Sequence, residues 1–281
     1  MARTTVYAKI QALRNCAVSR AAARQTAISL SILSRIQGDD TKMVGERFTD
    51  RDILPQDVEW NCAAVCLRQL QLMRDLGLIG GLGPGATVQY YQQLVKAKPG
   101  EMLIVHADMD RVREAVERND LDGLADYLAR LVERLAAGGA EVAAISAVTP
   151  HICIRQLERI SVLPLVDITE AIAAEVRERG YRRVALFGTR FVVEYGMFGL
   201  LEGIEVIVPQ QVATIHDCYM RIVNGETEPR ATLSQIAHGL PVDAIVLAGT
   251  DLALVYDESN ADFPHVDCVQ AHIRAILDAL A

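Results

Sequence analysis

Short apolar runs alternate with longer amphipathic stretches over the last three quarters of the chain. The apolar run at residues 75–80 is followed by a glycine-rich segment, residues 81–87, and by a helical pattern through Lys98. This order predicts a strand, a glycine turn and a helix. Met102–His106 predicts a second strand. Leucines at helical spacing over residues 121–137 predict a helix packed on a sheet, which we favour over a coiled coil.

The remainder of the chain repeats this plan. The hydrophobic pattern predicts strands at residues 142–146, 184–189, 204–208 and 244–247, and a helix at residues 210–223. Strands that alternate with helices are typical of a parallel sheet with helices on both faces. Residues 143–149 also resemble residues 244–250, as if one half echoed the other. We therefore predict an α/β fold of two pseudo-symmetric lobes, with mainly parallel sheets flanked by helices and an active-site cleft between the lobes.

The predicted organisation is an N-terminal extension at residues 1–72, a first lobe at 73–165 and a second lobe at 166–267. A C-terminal helix at residues 268–281 is expected to return to the first lobe. The first 38 residues carry basic but no acidic side chains. That composition fits an organellar transit peptide, or translated upstream sequence before a natural start at Met73, and we favour the second. We expect the extension to be poorly ordered or weakly helical.

Composition and charge narrow the function classes. The chain of 281 residues is 51% hydrophobic and 23% charged, which is typical of a globular protein. A net charge of -8 argues against a nucleic-acid partner, and no apolar stretch reaches membrane-spanning length. The six cysteines show no paired CxxC pattern. We therefore predict free thiols, no metal site and a cytoplasmic location.

The glycine turn allows two interpretations. Glycines between a strand and a helix can cradle the pyrophosphate of a dinucleotide, but Gly81-Leu-Gly-Pro-Gly-Ala86 lacks the third glycine of that motif. No acidic residue ends the second strand at the expected distance. We favour a small anion site, in which backbone N–H groups near Gly83 and the Thr87 hydroxyl hold a carboxylate.

Polar side chains follow two of the predicted strand ends. Thr149 and Thr250 are expected near helix N-termini, where capping and carboxylate binding are compatible. His151 and Asp251 follow them closely and are candidates for an acid or a base. Arg111 offers a forked guanidinium that suits a substrate carboxylate.

Three segments together resemble the aspartate/glutamate racemase family. Residues 78–87 resemble its opening motif, usually IGGMGPEAT, and residues 145–151 and 246–252 resemble its two active-site segments, usually ACNTAH and LGCTE. Residues 164–167 and 265–267 resemble the strand ends that follow those segments, so that the resemblance covers roughly residues 74–281. It implies two pseudo-equivalent lobes around one site, with no metal and no pyridoxal phosphate. We accordingly expect no cofactor, and a homodimer acting in amino-acid metabolism.

The resemblance also implies a mechanism that this chain cannot follow unchanged. Family members place one cysteine from each lobe on opposite sides of the substrate, because inversion at carbon requires two bases. The two cysteine positions match Ala147 and Gly249. Neither residue exchanges a proton. Cys153 lies six positions beyond the first and is expected to be a buried core thiol.

Other groups are therefore predicted to carry any chemistry. The predicted catalytic residues are His151, Asp251 and Ser146, with Asp108 as a further candidate. The predicted substrate-binding residues are Gly83, Thr87, Arg111, Thr149, Thr189 and Thr250. Val212 matches a family lysine position, for which His216 is a possible replacement.

Two main functions follow as hypotheses. The first is a racemase or isomerase that acts without a cofactor on a small amino or carboxylic acid, using substituted acid and base groups. The second is a non-catalytic carboxylate-binding or regulatory protein that has lost the thiols. A nucleotide-dependent oxidoreductase is a third and weaker hypothesis, since the glycine turn fits it poorly.

Overall fold

The computed structural model describes residues 74–97 and 100–281. The predictions for the N-terminal extension, for a start at Met73 and for the helix end at Lys98 lie outside the described residues. Within the described ranges, no helix has the length and apolar character needed to cross a membrane.

The first sheet contains four parallel strands. They are β1 (Leu76–Gly80), β2 (Met102–His106), β3 (Val142–Ile145) and β4 (Leu165–Val166), in the order β2-β1-β3-β4. The accompanying helices are α1 (Pro84–Ala97), α2 (Met109–Glu117), α3 (Leu121–Ala137) and α4 (Ile154–Ile160), and a 3-10 helix spans Thr149–Cys153. The order of the strands requires right-handed crossovers through helices, as parallel pairing demands.

The second sheet has the same topology. Its strands are β5 (Arg183–Phe187), β6 (Glu205–Ile207), β7 (Ala244–Leu247) and β8 (His265–Asp267), in the order β6-β5-β7-β8. Its helices are α5 (Ile168–Glu178), α6 (Arg190–Glu194), α7 (Val212–Val223), α8 (Pro229–His238) and α9 (Cys268–Leu280), with 3-10 helices at Met197–Gly199 and Thr250–Leu254. Two equivalent parallel sheets flanked by helices confirm the predicted fold class.

Capping carboxylates fix where several helices begin. Asp167 directly follows β4 and Asp267 ends β8, and each accepts a backbone N–H bond at the start of the helix that follows. Asp120 does the same for α3, and Asp108 accepts from two backbone N–H groups of α2. These bonds satisfy donors that the first turn of a helix leaves free. Asp108, a candidate for catalysis, thus has a capping role.

The long helix α3 shows how sequence periodicity becomes packing. Leu124, Leu128, Leu131 and Leu135 are all buried, and they lie in one cluster with core residues of the first sheet such as Ile79. The helix packs on β1 and β2 of the sheet and also contacts the neighbouring helices α2 and α4. The prediction of a helix packed on a sheet is confirmed.

The C-terminal helix α9 lies against elements of both sheets. It packs against α1 and α5, and the Arg74 N–H donates to the Leu280 carbonyl over 2.9 Å. The buried His272 ring of α9 connects α1 to β4, since its two nitrogens lie 2.8 Å from the Tyr90 hydroxyl and 2.9 Å from the Val166 carbonyl. The lobe boundaries at residues 165 and 267 remain predictions.

Candidate active site between the two sheets

A cavity of about 430 Å³ lies where the carboxyl ends of the two sheets face each other. Segment 147–150, after β3, lines one wall, and segment 248–251, after β7, lines the other. The rest of the lining comes from helices α2 and α7, from the start of α6 with its cap Thr189, and from Leu82 of the glycine turn. Ligands of open parallel sheets bind at this edge, because loops from several strands meet there.

Asp251 is the buried acid of this cavity. Its Oδ1 accepts the Ala86 backbone N–H over 3.2 Å, and its Oδ2 accepts the Tyr219 hydroxyl over 3.1 Å. Burial raises the pKa of the Asp251 carboxyl above its ordinary value, although these two hydrogen bonds oppose the rise. A carboxyl with a raised pKa at a cavity wall is a candidate for proton exchange with a ligand.

The glycine turn holds this carboxylate. A Cβ on Gly83 would overlap Oδ2 of Asp251, so the turn requires a glycine at this position. The anion at the N-terminus of α1 is therefore the chain's own side chain, which accepts from Ala86. Neither Gly83 nor Thr87 lines the cavity. The Thr87 hydroxyl instead accepts from the Gly81 N–H (3.0 Å) and donates to the Gly83 carbonyl (3.1 Å), which fixes the turn.

Tyr219 fills the space beside Gly249. A Cβ on Gly249 would overlap Cε2 of the Tyr219 ring and would lie 2.8 Å from its Cδ2 and Cζ. The ring is buried and lines the cavity, and burial beside Asp251 raises the pKa of the Tyr219 hydroxyl well above its ordinary value. The hydroxyl therefore stays protonated and acts as a donor to Asp251. Tyr219 is not among the predicted site residues, because it meets Gly249 and Asp251 only in the folded chain.

The first wall carries no such acid at its strand end. Ala147 and Val148 line it with buried apolar atoms. His151 is buried and does not line the cavity; its Nδ1 lies 2.9 Å from the Ala147 carbonyl, and its Nε2 accepts weakly from Ile168 N–H at 3.5 Å. Burial lowers the pKa of His151, so the ring is neutral. The His151 ring thus has no access to a ligand in the cavity, which its predicted catalytic role would require.

Ser146 is also placed away from the cavity. Its hydroxyl donates to the Ile79 carbonyl over 3.1 Å and lies 3.3 Å from the Thr87 hydroxyl oxygen. The side chain is fully buried and does not line the cavity. These bonds tie β3 to the glycine turn, which is a structural use of the hydroxyl.

Three predicted threonines do reach the cavity. Thr149, Thr189 and Thr250 all line it, and the hydroxyl oxygens of Thr149 and Thr189 lie 3.2 Å apart across the two walls. Thr189 caps α6 through the Val192 N–H. Thr149 and Thr250 lie at the starts of 3-10 helices, near helix N-termini as predicted, and neither helix has a side-chain cap bond. Their hydroxyls remain available to a ligand carboxylate.

Arg111 lies outside the cavity. Its side chain is 66% exposed, with Nε 3.6 Å from Asp108 Oδ2 and its guanidinium over the Tyr127 ring. Arg113, two residues later, lines the cavity instead, as does Arg190. Because two residues correspond to more than half a turn of helix, the two side chains leave α2 on different sides.

His216 lines the cavity from α7. Its Nδ1 accepts the Arg190 backbone N–H over 3.2 Å, so this ring is oriented by the start of α6. Val212, the position matched to a family lysine, does not line the cavity. His216 is thus the one of the two that can reach a ligand.

No thiol faces this cavity in the part of the chain that the structure describes. Cys153 is buried against the Pro150 carbonyl, and burial raises its pKa to about 12. A thiol with that pKa is not a base at neutral pH. Cys218 and Cys268 are likewise buried. The prediction that Cys153 is a core thiol is confirmed.

Acidic side chains close enough to share a metal ion occur away from the cavity. Within residues 74–97 and 100–281, the one such group is Glu158, Asp167 and Glu170. The Arg155 guanidinium already lies 3.2 Å from Glu158 and 3.6 Å from Glu170. A resident guanidinium neutralises these carboxylates, so the cluster is explained without a metal ion.

Fold and site together define a class: a two-lobed α/β protein with an acid between the carboxyl ends of two equivalent parallel sheets. The family model described as Asp/Glu/Hydantoin racemase matches residues 79–276. The chain therefore belongs to that family. The resemblance inferred from the three motifs is confirmed.

Solved structures show the same fold. A proposed Asp/Glu racemase from Yersinia pestis is 28% identical, with a TM-score of 0.63 over 74% of this chain and 100% of that one. An aspartate racemase homologue from Pyrococcus horikoshii OT3 is 23% identical, with a TM-score of 0.63 over 73% and 98% of the two chains. A glutamate racemase from Francisella tularensis, solved with D-glutamate, is 14% identical, with a TM-score of 0.55 over 74% and 81%.

Proposed function

We propose that this racemase-like protein binds a small amino or carboxylic acid in the interlobe cavity and moves a proton at the carbon next to the carboxylate, without a cofactor. Asp251 is the group that exchanges the proton. The observation that carries the proposal is the burial of its carboxyl at the cavity wall, where the Tyr219 hydroxyl and the Ala86 N–H hold it in place; burial raises the pKa of this carboxyl above its ordinary value, which makes it a stronger base.

The surrounding groups suit that role. In the first step, the Asp251 carboxylate accepts the proton from the α-carbon, and the electron pair of the C–H bond moves toward the ligand carboxylate as an enediolate. The Thr149, Thr189 and Thr250 hydroxyls line the cavity and can donate to the developing charge. The proton on neutral Asp251 then exchanges with solvent water, and in the second step Asp251 returns a solvent-derived proton to the same face of the carbon. Tyr219 orients the carboxyl throughout through its hydroxyl.

The proposed proton transfer is one-sided. The first wall offers Ala147 and Val148 at its strand end, and its histidine is buried behind them. Glu117 of α2 lines the rim but is exposed to solvent. We therefore expect the proton to leave and return on the side of Asp251, so that carbon exchanges its proton and keeps its configuration.

The ligand class rests on the family and on the size of the cavity. A relative with this fold was solved with D-glutamate, and a volume of about 430 Å³ suits a molecule of that size or somewhat larger. A cytoplasmic homodimer in amino-acid metabolism remains our expectation from the sequence.

Proton exchange in deuterated water tests the proposal. Aspartate, glutamate and a panel of related acids are incubated with the protein, and deuterium at the α-carbon is followed by NMR. Asp251→Asn should lower exchange by at least about 100-fold, because the base is removed while the shape is kept. The matched control is Asp267→Asn: burial also raises the pKa of Asp267, but this residue caps α9 and does not line the cavity.

A non-catalytic carboxylate-binding protein is the second candidate. The space beside Gly249, where the family keeps a thiol, is filled by the Tyr219 ring, as expected if a binding pocket were kept and its chemistry lost. An acid that binds with measurable affinity and shows no exchange would favour this candidate. Equal exchange by wild type and Asp251→Asn would show that Asp251 is not the base.

A further inference from the structure

The cavity has a polar end and an apolar side. The polar end is formed by Asp251 and the threonine hydroxyls that follow the strands. The apolar side is contributed by three helices, through Met109, Val112 and Val116 of α2, Phe191 of α6, and Met220 and Val223 of α7. Such a division suits a ligand with one charged group and an apolar remainder.

The charged groups of the lining do not favour a second carboxylate. Arg113 is paired with Asp110 on its own helix over 2.8 Å, and the Arg190 Nε lies 3.8 Å from Glu194. Glu117 and Asp251 also line the cavity and bear or can acquire negative charge. The second carboxylate of a dicarboxylate would therefore lie against apolar atoms, or would have to compete with Asp110 and Glu194 for the two arginines, and desolvation of its charge opposes binding.

We propose that the ligand is a monocarboxylate with an aliphatic or aromatic substituent, rather than a dicarboxylate such as aspartate or glutamate. The inference rests on the proposed function for the placement of the carboxylate at the threonine hydroxyls. The substituent lies against α2 and α7, where burial of its apolar surface stabilises the complex.

Two isosteric pairs of probes separate charge from shape. Leucine and aspartate differ mainly in the end of the side chain, and 4-methylpentanoate and succinate repeat that difference without the amino group. Dissociation constants measured by calorimetry should favour leucine and 4-methylpentanoate by at least about tenfold over their partners. Equal or tighter binding of the dicarboxylates would overturn this inference and leave the proposed function standing. Failure of all four to bind would overturn both.

Two lysine substitutions test whether the apolar side sets the preference. Met109 and Met220 line the cavity and are 42% and 37% exposed, so that a lysine at either position can keep its charge in water. Met220→Lys and Met109→Lys should each narrow the ratio of the two dissociation constants by about threefold, because an unpaired cation now meets the second carboxylate. Val162→Lys is the matched control, at a 58% exposed position away from the cavity. An unchanged preference in both cavity variants would contradict the assignment of the apolar side.

Discussion

The two lobes have the same strand order and place equivalent strand ends at one cavity, yet their chemistry differs. After β3, the chain continues with Ala147 and Val148 and turns the His151 ring into the interior. After β7, it continues with Gly249 and directs the Asp251 carboxyl to the cavity beside the Tyr219 hydroxyl.

Ala147 and Gly249 therefore occupy different surroundings in the two walls. At Ala147 the wall is closed by small apolar groups. At Gly249 the missing side chain makes room for an aromatic ring whose hydroxyl donates to an acid. The cavity thus has a protonatable group at one strand end and none at the other.

The largest expected effect concerns the buried imidazoles of the interior. Burial lowers the pKa of His151 and lowers that of His272 to about 3. The unfolded chain binds these protons near pH 6.5, so the free energy of unfolding should fall as pH decreases from about 6.5 toward 3. The loss from His272 alone reaches at most about 5 kcal/mol. Urea denaturation at several pH values measures it.

The histidine control uses an exposed side chain. His272→Asn should flatten the acid dependence of unfolding, whereas His238→Asn, at an exposed position on α8, should leave it as in wild type. NMR titration of His151 provides a second check. An imidazole that titrates at its ordinary pKa would contradict the description of the first wall.

The second prediction concerns the fit of Tyr219 against Gly249. Gly249→Ala should lower the free energy of unfolding by about 1–3 kcal/mol, because the added Cβ overlaps the ring. In a Tyr219→Leu background the same change should cost clearly less. The control is Gly239→Ala, where an added Cβ approaches nothing closer than 3.5 Å. Equal costs of Gly249→Ala in the two backgrounds would show that the ring and the glycine are not coupled.

How far the sequence predicts this site depends on how local each contact is. Asp251 and Thr250 were found because they follow a predicted strand end directly. Tyr219 was missed, since its partners Gly249 and Asp251 lie about thirty residues further along the chain. The fold itself was predictable, because the alternation of apolar runs and the glycine turn are local patterns.

Side-chain direction was the other feature that the sequence could not provide. The sequence predicts a ligand contact for Arg111, whereas Arg113, two residues later, lines the cavity. Only the rotation of α2 about its axis determines which of the two side chains faces the cavity. The sequence makes His151 a candidate acid or base because it follows a strand end. The 3-10 helix that begins at Thr149 turns its ring inward, and no pattern in the sequence indicates that rotation.

The third prediction uses stability to separate function from structure at Asp251. Since burial raises the pKa of this carboxyl, there is a pH window, between the ordinary pKa and the raised one, in which the folded state holds a proton that the unfolded chain has released. Its contribution to stability therefore falls as pH rises through that window. At neutral pH, the free energy of unfolding of Asp251→Asn should be at least as large as that of wild type. The difference between the two should grow as pH rises through that window.

A carboxyl with the opposite shift is the comparison for that experiment. Backbone N–H bonds from Arg182 and Arg183 lower the pKa of Asp243. Its stabilising contribution is present above the ordinary pKa and is lost as pH falls, so Asp243→Asn should destabilise at neutral pH. If Asp251→Asn behaved in the same way, the carboxyl would be a structural anchor rather than a proton-exchanging group.

The smallest expected effect is at the arginines of α2. Arg111→Ala should change the dissociation constant of 4-methylpentanoate by less than about twofold, because its side chain lies outside the cavity. Arg113→Ala should weaken binding by about threefold through loss of an exposed positive charge at the rim. Calorimetry measures both. A tenfold loss for Arg111→Ala would mean that the ligand binds elsewhere on α2.

The most direct test of a one-sided site follows deuterium and configuration in the same sample. Each enantiomer of leucine, aspartate and glutamate is incubated with the protein in deuterated water, and chiral chromatography with mass spectrometry measures both quantities for those that bind. We predict that deuterium enters the α-carbon with retention of configuration, in wild type and in Glu117→Gln alike. Racemisation that keeps pace with deuteration would contradict the account. An acid that binds and exchanges in neither enantiomer would also contradict it, because a base on one side reaches the α-hydrogen of only one of the two.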